Sequence, residues 1–273
     1  MMMLLLVACA GPPKDTGAEA DIPVEVPGVE GCTYDAVYVG RGGVGTQTCN
    51  GGYDENGHWT GERCVDEEGL AAEWDYVYDD AGCELSGRWY LEFGDSTWEW
   101  TYGAVCDGYG NPEEGWDRDL EIAADGEVLE DTRTTFDVVN AYEDGDHVSA
   151  VRTYSDGGVW EERHTWDAAG LLEATRWRSD DDPWRLYTYA YDDAGRVTYT
   201  SYGDEGESPD TETHFTYDTL GRLVTQAIDR HGRGAEDYTR THAYADDTAR
   251  FVEQRTTYED DSFAVETRAW TCP

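Results

Sequence analysis

Tyr189-Ala190-Tyr191-Asp192-Asp193-Ala194-Gly195-Arg196-Val197 holds the end of one strand, a tight turn and the start of the next strand. Upstream, Leu186 to Tyr191 alternates, so Tyr187, Tyr189 and Tyr191 share one face of an extended segment and Leu186, Thr188 and Ala190 the other. Asp192 opens the turn because its carboxylate accepts hydrogen bonds from backbone N–H groups further round. Gly195 closes it because the residue after a type I turn with a bulge takes positive φ, which glycine adopts freely. The stretch predicts a β-hairpin with an Asp-x-x-Gly tip.

The same string recurs through the chain. Good copies are Tyr53-Asp54-Glu55-Asn56-Gly57, Tyr78-Asp79-Asp80-Ala81-Gly82, Trp166-Asp167-Ala168-Ala169-Gly170 and Tyr217-Asp218-Thr219-Leu220-Gly221. Degenerate copies begin at Cys106 (CDGYGN), Tyr142 (YEDGDH) and Tyr244 (YADDTARF). Successive anchors are 25, 28, 36, 24, 25, 26 and 27 residues apart, so an irregular unit lies between Cys106 and Tyr142. Alternation at Trp89, Leu91 and Phe93 and at Trp98, Trp100 and Tyr102 marks further strands. A period near 25 residues holds two strands, one tight turn and one looser connection, and is too short for a β-propeller blade of roughly 40 residues.

Tyr189 to Val197 and Phe215-Thr216-Tyr217-Asp218-Thr219-Leu220-Gly221-Arg222-Leu223 resemble the YD repeat of Rhs proteins, bacterial wall-associated proteins and teneurins, whose pattern is aromatic-x-Tyr-Asp-x-x-Gly-Arg-aliphatic. Both copies match in full. Those at Tyr53, Tyr78 and Trp166 lack the Arg, and the resemblance spans Tyr53 to Trp270. It implies an all-β chain without significant helix, an antiparallel hairpin array forming a curved or partly rolled sheet. Relatives of that kind are far longer and often enclose a toxin, whereas eight or so hairpins are too few to enclose a domain. Arg196 and Arg222 are expected to stack on a neighbouring hairpin's Tyr or to pair with their own turn Asp.

Composition agrees with strands and turns. The chain has 11 Trp, 19 Tyr and 31 Gly in 273 residues, too many aromatics for disorder. Acidic residues outnumber basic ones 60 to 19, a formal charge of −41, and Lys14 is the single lysine. Such a surface repels phosphate, so nucleic acid is disfavoured as a partner. Self-repulsion of this size also predicts a melting temperature that rises with salt.

Leu6-Val7-Ala8-Cys9 resembles the lipobox of bacterial lipoproteins, although no positive charge precedes the apolar run. The resemblance implies a signal peptide at 1–8, a diacylated Cys9, and a Pro-rich acidic tether at 9–31 leading to a repeat domain at 32–273. Ala10, rather than Asp, after the Cys favours the outer membrane. Cys32, Cys49, Cys64, Cys83, Cys106 and Cys272 then remain, an even number as in exported, oxidised proteins, with Cys49–Cys64 the first choice of pair. Zinc is disfavoured because no C-x-x-C pair occurs.

No catalytic constellation stands out. His58, His147, His164, His214, His231 and His242 lack ligand spacing, and neither a G-x-S-x-G elbow nor a phosphate loop is present. Paired acids such as Asp79-Asp80 and Asp192-Asp193 recur at one repeat position, which marks them as turn caps rather than glycosidase carboxylates. Asp54, Gly57, Asp79, Gly82, Asp167, Gly170, Asp192, Gly195, Asp218 and Gly221 are accordingly structural turn residues. Asp180-Asp181-Asp182 lacks the spacing of a calcium loop, leaving only weak binding open. The expectation is a non-enzymatic exported lipoprotein without cofactor or metal, which binds a glycan or protein or scaffolds the envelope. The alternative is an accessory or remnant of a Rhs-type toxin system.

Overall fold

The computed structural model describes residues 29–43, 45–80, 82–230, 237–244, 248 and 250–273. Its strands are β1 (Thr33–Val39), β2 (Thr46–Tyr53), β3 (Trp59–Asp66), β4 (Ala71–Tyr78), β5 (Glu84–Phe93), β6 (Ser96–Cys106), β7 (Pro112–Ala123), β8 (Val128–Glu143) and β9 (Asp146–Tyr154). The remainder are β10 (Val159–Trp166), β11 (Leu172–Ser179), β12 (Arg185–Tyr191), β13 (Val197–Asp204), β14 (Thr211–Tyr217), β15 (Leu223–Arg230), β16 (Tyr238–Tyr244), β17 (Phe251–Tyr258) and β18 (Phe263–Thr271). One 3-10 turn at Arg41–Gly43 is the only helical element among the described residues.

Every strand pairs antiparallel with its neighbours in sequence, and β1 pairs with β18 from Thr33↔Thr271 to Val39↔Val265. The curved or partly rolled sheet expected from the repeat is therefore corrected to a closed 18-stranded barrel. The physical reason is edge satisfaction: an open sheet leaves two strands with a row of unpaired N–H and C=O groups, and closure pairs them all. β1 supplies that closure, although it carries no copy of the repeat string.

Strands that alternate up and down place alternate turns on opposite rims. The repeat tips after β2, β4, β6, β8, β10, β12 and β14 share one rim with Gly31 and Cys272. At each anchor aromatic or cysteine, from Tyr53 to Tyr244, the register slips by one residue in a bulge. The irregular 36-residue interval is explained by length, since β7 has 12 residues and β8 has 16, against 7 or 8 in β10 to β17. Val128–Thr134 pairs with β7 alone, because the β9 side meets β8 only from Thr135 on, so the β7–β8 hairpin stands above the opposite rim.

Ladder partners share a face, which sorts the wall into two sides. One row runs Trp270, Tyr34, Gly51, Glu62, Trp74, Trp89, Trp100, Asp119 across β18 and β1 to β7. Tyr34, Ala36, Cys49, Cys64, Trp74, Phe136, Ala150, Tyr187 and Tyr189 are buried and share this side, the concave one where side chains converge. The other side shows exposed Val37, Val77, Val105 and Val139 among charges such as Glu73, Arg88, Glu99, Arg118 and Asp131. Most of the aromatics line the interior, with a few buried charges among them, and most of the charge covers the exterior.

Eighteen strands at about 4.8 Å spacing form a cylinder roughly 30 Å across, too wide for side chains to fill. Among the described residues, extensive backbone contacts join ladder neighbours only, so the backbones of opposite walls stay apart. Close approach within the wall does demand glycine: a Cβ on Gly61, at φ +134°, would lie 1.9 Å from the Trp74 carbonyl oxygen.

Candidate functional site

At the repeat rim the local chemistry is uniform. Asp192 Oδ1 accepts from the N–H groups of Ala194 (2.9 Å) and Arg196 (3.0 Å), and Gly195 adopts φ +78°. Asp54, Asp167 and Asp218 accept from the second and fourth residues after them in the same way, and Asp79 accepts from Cys83. Gly57, Gly82, Gly170 and Gly221 take φ between +80° and +86°. Arg196 Nε donates to Asp192 Oδ2 at 2.8 Å while its guanidinium lies 4.7 Å from the Tyr217 ring of the next hairpin. Arg222 repeats this with Asp218 (2.7 Å) and Tyr244 (4.4 Å). Each pairing also holds the turn carboxylate below its usual range, chiefly through the Arg196 side chain at Asp192 and the Arg222 backbone N–H at Asp218.

The anchor aromatics complete the stitching between hairpins. Hydroxyls of Tyr191, Tyr217 and Tyr244 donate to the carbonyls of Leu172, Val197 and Leu223 at 2.7–2.8 Å, each the first residue of a strand in the preceding hairpin. Trp166 and Trp270 donate indole N–H groups to His147 and Phe251 in the same sense. At three turns that lack the Arg, the residue four after the turn Asp still reaches the next anchor. His58 bonds Asp54 (2.9 Å) and stacks on Tyr78 (4.8 Å), Cys83 is disulfide-bonded to Cys106, and Asn111 donates to the Tyr142 hydroxyl (2.8 Å).

The other two disulfides join Cys49 to Cys64 across β2–β3 and Cys32 to Cys272 beside the β1–β18 seam, with Cα–Cα distances of 4.0 and 4.2 Å. Cys9, the signal segment and residues 10–28 lie outside the described residues, while the last part of the expected tether is fixed to the barrel, with Val29 buried and Gly31 N–H bonded to the Asp54 carbonyl. Asp180 of the acidic triplet caps Val159 N–H at 2.8 Å. Cys49, Cys64 and Glu62 bring metal-ligating atom types within 4.8 Å, but both sulfurs are consumed by the disulfide.

Sequence reading missed the polar groups on the inner wall. Glu62 and Glu266 are almost fully buried, and burial pushes the Glu62 carboxyl up to about 7 against the opposing charge of Arg268. Arg268 contacts Glu266 and lies 4.0 Å from the Tyr34 ring and 4.3 Å from Phe251, locking the seam from inside. Across the barrel, His147 and His164 bring their rings within 4.9 Å, and burial pushes His164 down to about 4. Glu162, 3.5 Å from His164, is raised by burial to about 7. The one signal that could have found these groups is strand parity, because each falls on the aromatic face.

No family model matches the chain, and no curated protein matches it. Among solved structures it is similar to TcdB2-TccC3-TEV and to TcdB2-TccC3 without its hypervariable C-terminal region, each with a TM-score of 0.37, 12% identity and 81% of this chain covered. The chain spans only 15% of the length of those proteins. It is also similar to a porin-like protein from Bacteroides uniformis, with a TM-score of 0.46 and 9% identity, covering 88% of this chain and 97% of that one.

Proposed function

We propose that this chain is a non-enzymatic, exported envelope protein whose barrel takes a ligand, a glycan or an extended protein segment, into its interior. The observation that carries this reading is the inverted wall. A membrane-spanning barrel turns apolar side chains to lipid, whereas here Glu73, Arg88, Glu99, Arg118, Asp131, Glu161 and Arg178 face outward, with Trp116 and Trp184 under arginines among them, and Trp59, Trp74, Trp89, Trp98 and Trp100 face in. Aromatic rings bordering an open interior offer stacking surface that no opposite wall covers. The described connections, at most six residues long, are too short to roof a mouth this wide.

Three disulfides support an oxidising compartment. With charge on the outer wall, attachment to the envelope falls to a lipid on Cys9, the outer membrane being the favoured site. The test is the intact mass of membrane-extracted protein, coupled to glycan-array and pull-down screens of the folded chain. The reading predicts an acylated Cys9, three disulfides and a captured ligand. Unmodified Cys9 together with empty screens would overturn it.

A further inference from the structure

The inner wall is not uniform. On β4, β5 and β6, Trp74, Trp89 and Trp100 are direct ladder partners and form one lateral row, with Leu91 opposite Trp98 in the next. The Trp89 and Trp100 rings lie 4.9 Å apart, and Trp100 lies 4.7 Å from Tyr102. Trp89 Nε1 donates to the Tyr76 hydroxyl at 2.7 Å, which fixes the ring's orientation. Trp74 is buried beneath this surface, while Trp89, Trp98 and Trp100 keep part of theirs open. The row ends in a carboxylate on each side, Glu62 on β3 and Asp119 on β7, which are 4% and 5% exposed. Glu62 Oε1 has no hydrogen-bond partner in the protein.

A buried polar atom left unpaired costs free energy; seven side-chain atoms are in that state among the described residues, and Glu62 Oε1 is the one on the tryptophan row, where flat rings suit something that brings polar hydroxyls. We propose that the inner face of β4–β6 is a subsite for a neutral oligosaccharide, which lies across Trp89 and Trp100 with its hydroxyls donating to Glu62. This assignment rests on the lumenal-ligand reading above and names its ligand class. Sugar rings present an apolar face to indoles and hydroxyl donors at their rim. From Glu62 to Asp119 the row spans four strand intervals, roughly 19 Å, room for several rings. An anion is disfavoured by the two carboxylates and the formal charge of −41. A cation is disfavoured because Arg268 already acts on Glu62.

The experiment is calorimetric titration of the folded, oxidised chain with maltohexaose, cellohexaose, chitohexaose and mannohexaose, with spermidine as a cationic probe. At least one hexasaccharide is expected to bind. Trp100→Ala should weaken it tenfold or more, and Trp100→Phe by less. Glu62→Gln should weaken it about fivefold while raising the melting temperature at pH 8, opposite signs that a purely structural residue would not give. Trp177→Phe, on another part of the inner wall, should change affinity less than twofold. Saccharide affinity that survives Trp100→Ala and Glu62→Gln but is lost in Trp177→Phe overturns the subsite and leaves the lumenal reading standing. Spermidine binding alone overturns the ligand class. No binding by any hexasaccharide overturns the proposal, while a protein captured in the pull-down would still uphold a lumenal ligand.

Discussion

Two arcs of the same wall meet one requirement with different chemistry. On β12 to β16, hairpins are joined by an Arg that pairs with its own turn Asp and stacks on the next hairpin's Tyr, as at Arg196–Tyr217 and Arg222–Tyr244. On β4 to β8 the equivalent positions hold the Cys83–Cys106 disulfide and the Asn111–Tyr142 hydrogen bond. The lesson is that the fourth residue after the turn Asp serves as a coupling position at five turns, through His58, Cys83, Asn111, Arg196 and Arg222, and several residue types fill it. The irregular arc is also where the strands lengthen and the β7–β8 hairpin loses a neighbour.

The largest expected effect comes from the link at the seam, outside both arcs. Cys32–Cys272 encloses 240 residues, and its replacement by a serine pair should cost roughly 5 kcal/mol by chain-entropy reasoning, read as the shift in the urea midpoint. Cys83→Ser with Cys106→Ser removes a loop of 23 residues and should cost about 3 kcal/mol. Rewriting that hairpin in the regular form, Cys83→Arg with Cys106→Tyr, should recover about 1 kcal/mol relative to the serine pair. No recovery would show that the coupling position is not interchangeable.

Glu62 sharpens the comparison on the inner wall. Its folded value near 7 exceeds its ordinary 4.5, so the native state binds an extra proton. Stability should therefore fall as pH rises from about 4.5 to 7 and level off above, a loss of roughly 3 kcal/mol that Glu62→Gln abolishes in denaturation measured at pH 5 and pH 8. His164 has the opposite sign. Its folded value near 4 lies below 6.5, so its contribution is present at neutral pH and lost as pH falls through that interval. The smallest effect is expected at Arg222→Ala, about 1 kcal/mol by urea denaturation, with Arg222→Lys intermediate because an ammonium loses the planar stack on Tyr244.

The hairpin tips were legible because Asp192 and Gly195 act within five residues of each other, on hydrogen bonds the string itself encodes. Closure was not legible. Thr33–Val39 bears no anchor, its partner β18 lies more than 200 residues away, and a repeat period says nothing about how many strands complete a ring. The two faces were only half visible: alternation at Tyr187, Tyr189 and Tyr191 showed that the aromatics share a side, but the sense of curvature decided that this side is internal. Glu62 was hidden among 60 acidic residues. His147 and His164 meet only because the bulge at Ala141/Tyr142 resets the register of β8 and β9.

The closed wall with its aromatic interior is tested most directly by amide hydrogen exchange along β1 in the Cys32→Ser, Cys272→Ser variant, where no covalent tie holds the seam. Closure predicts that amides of Thr33–Val39 facing β18 exchange as slowly as those facing β2. Fast exchange of the β18-facing amides, with the β2-facing set still protected, would mean an open sheet with β1 at its edge and would contradict the account.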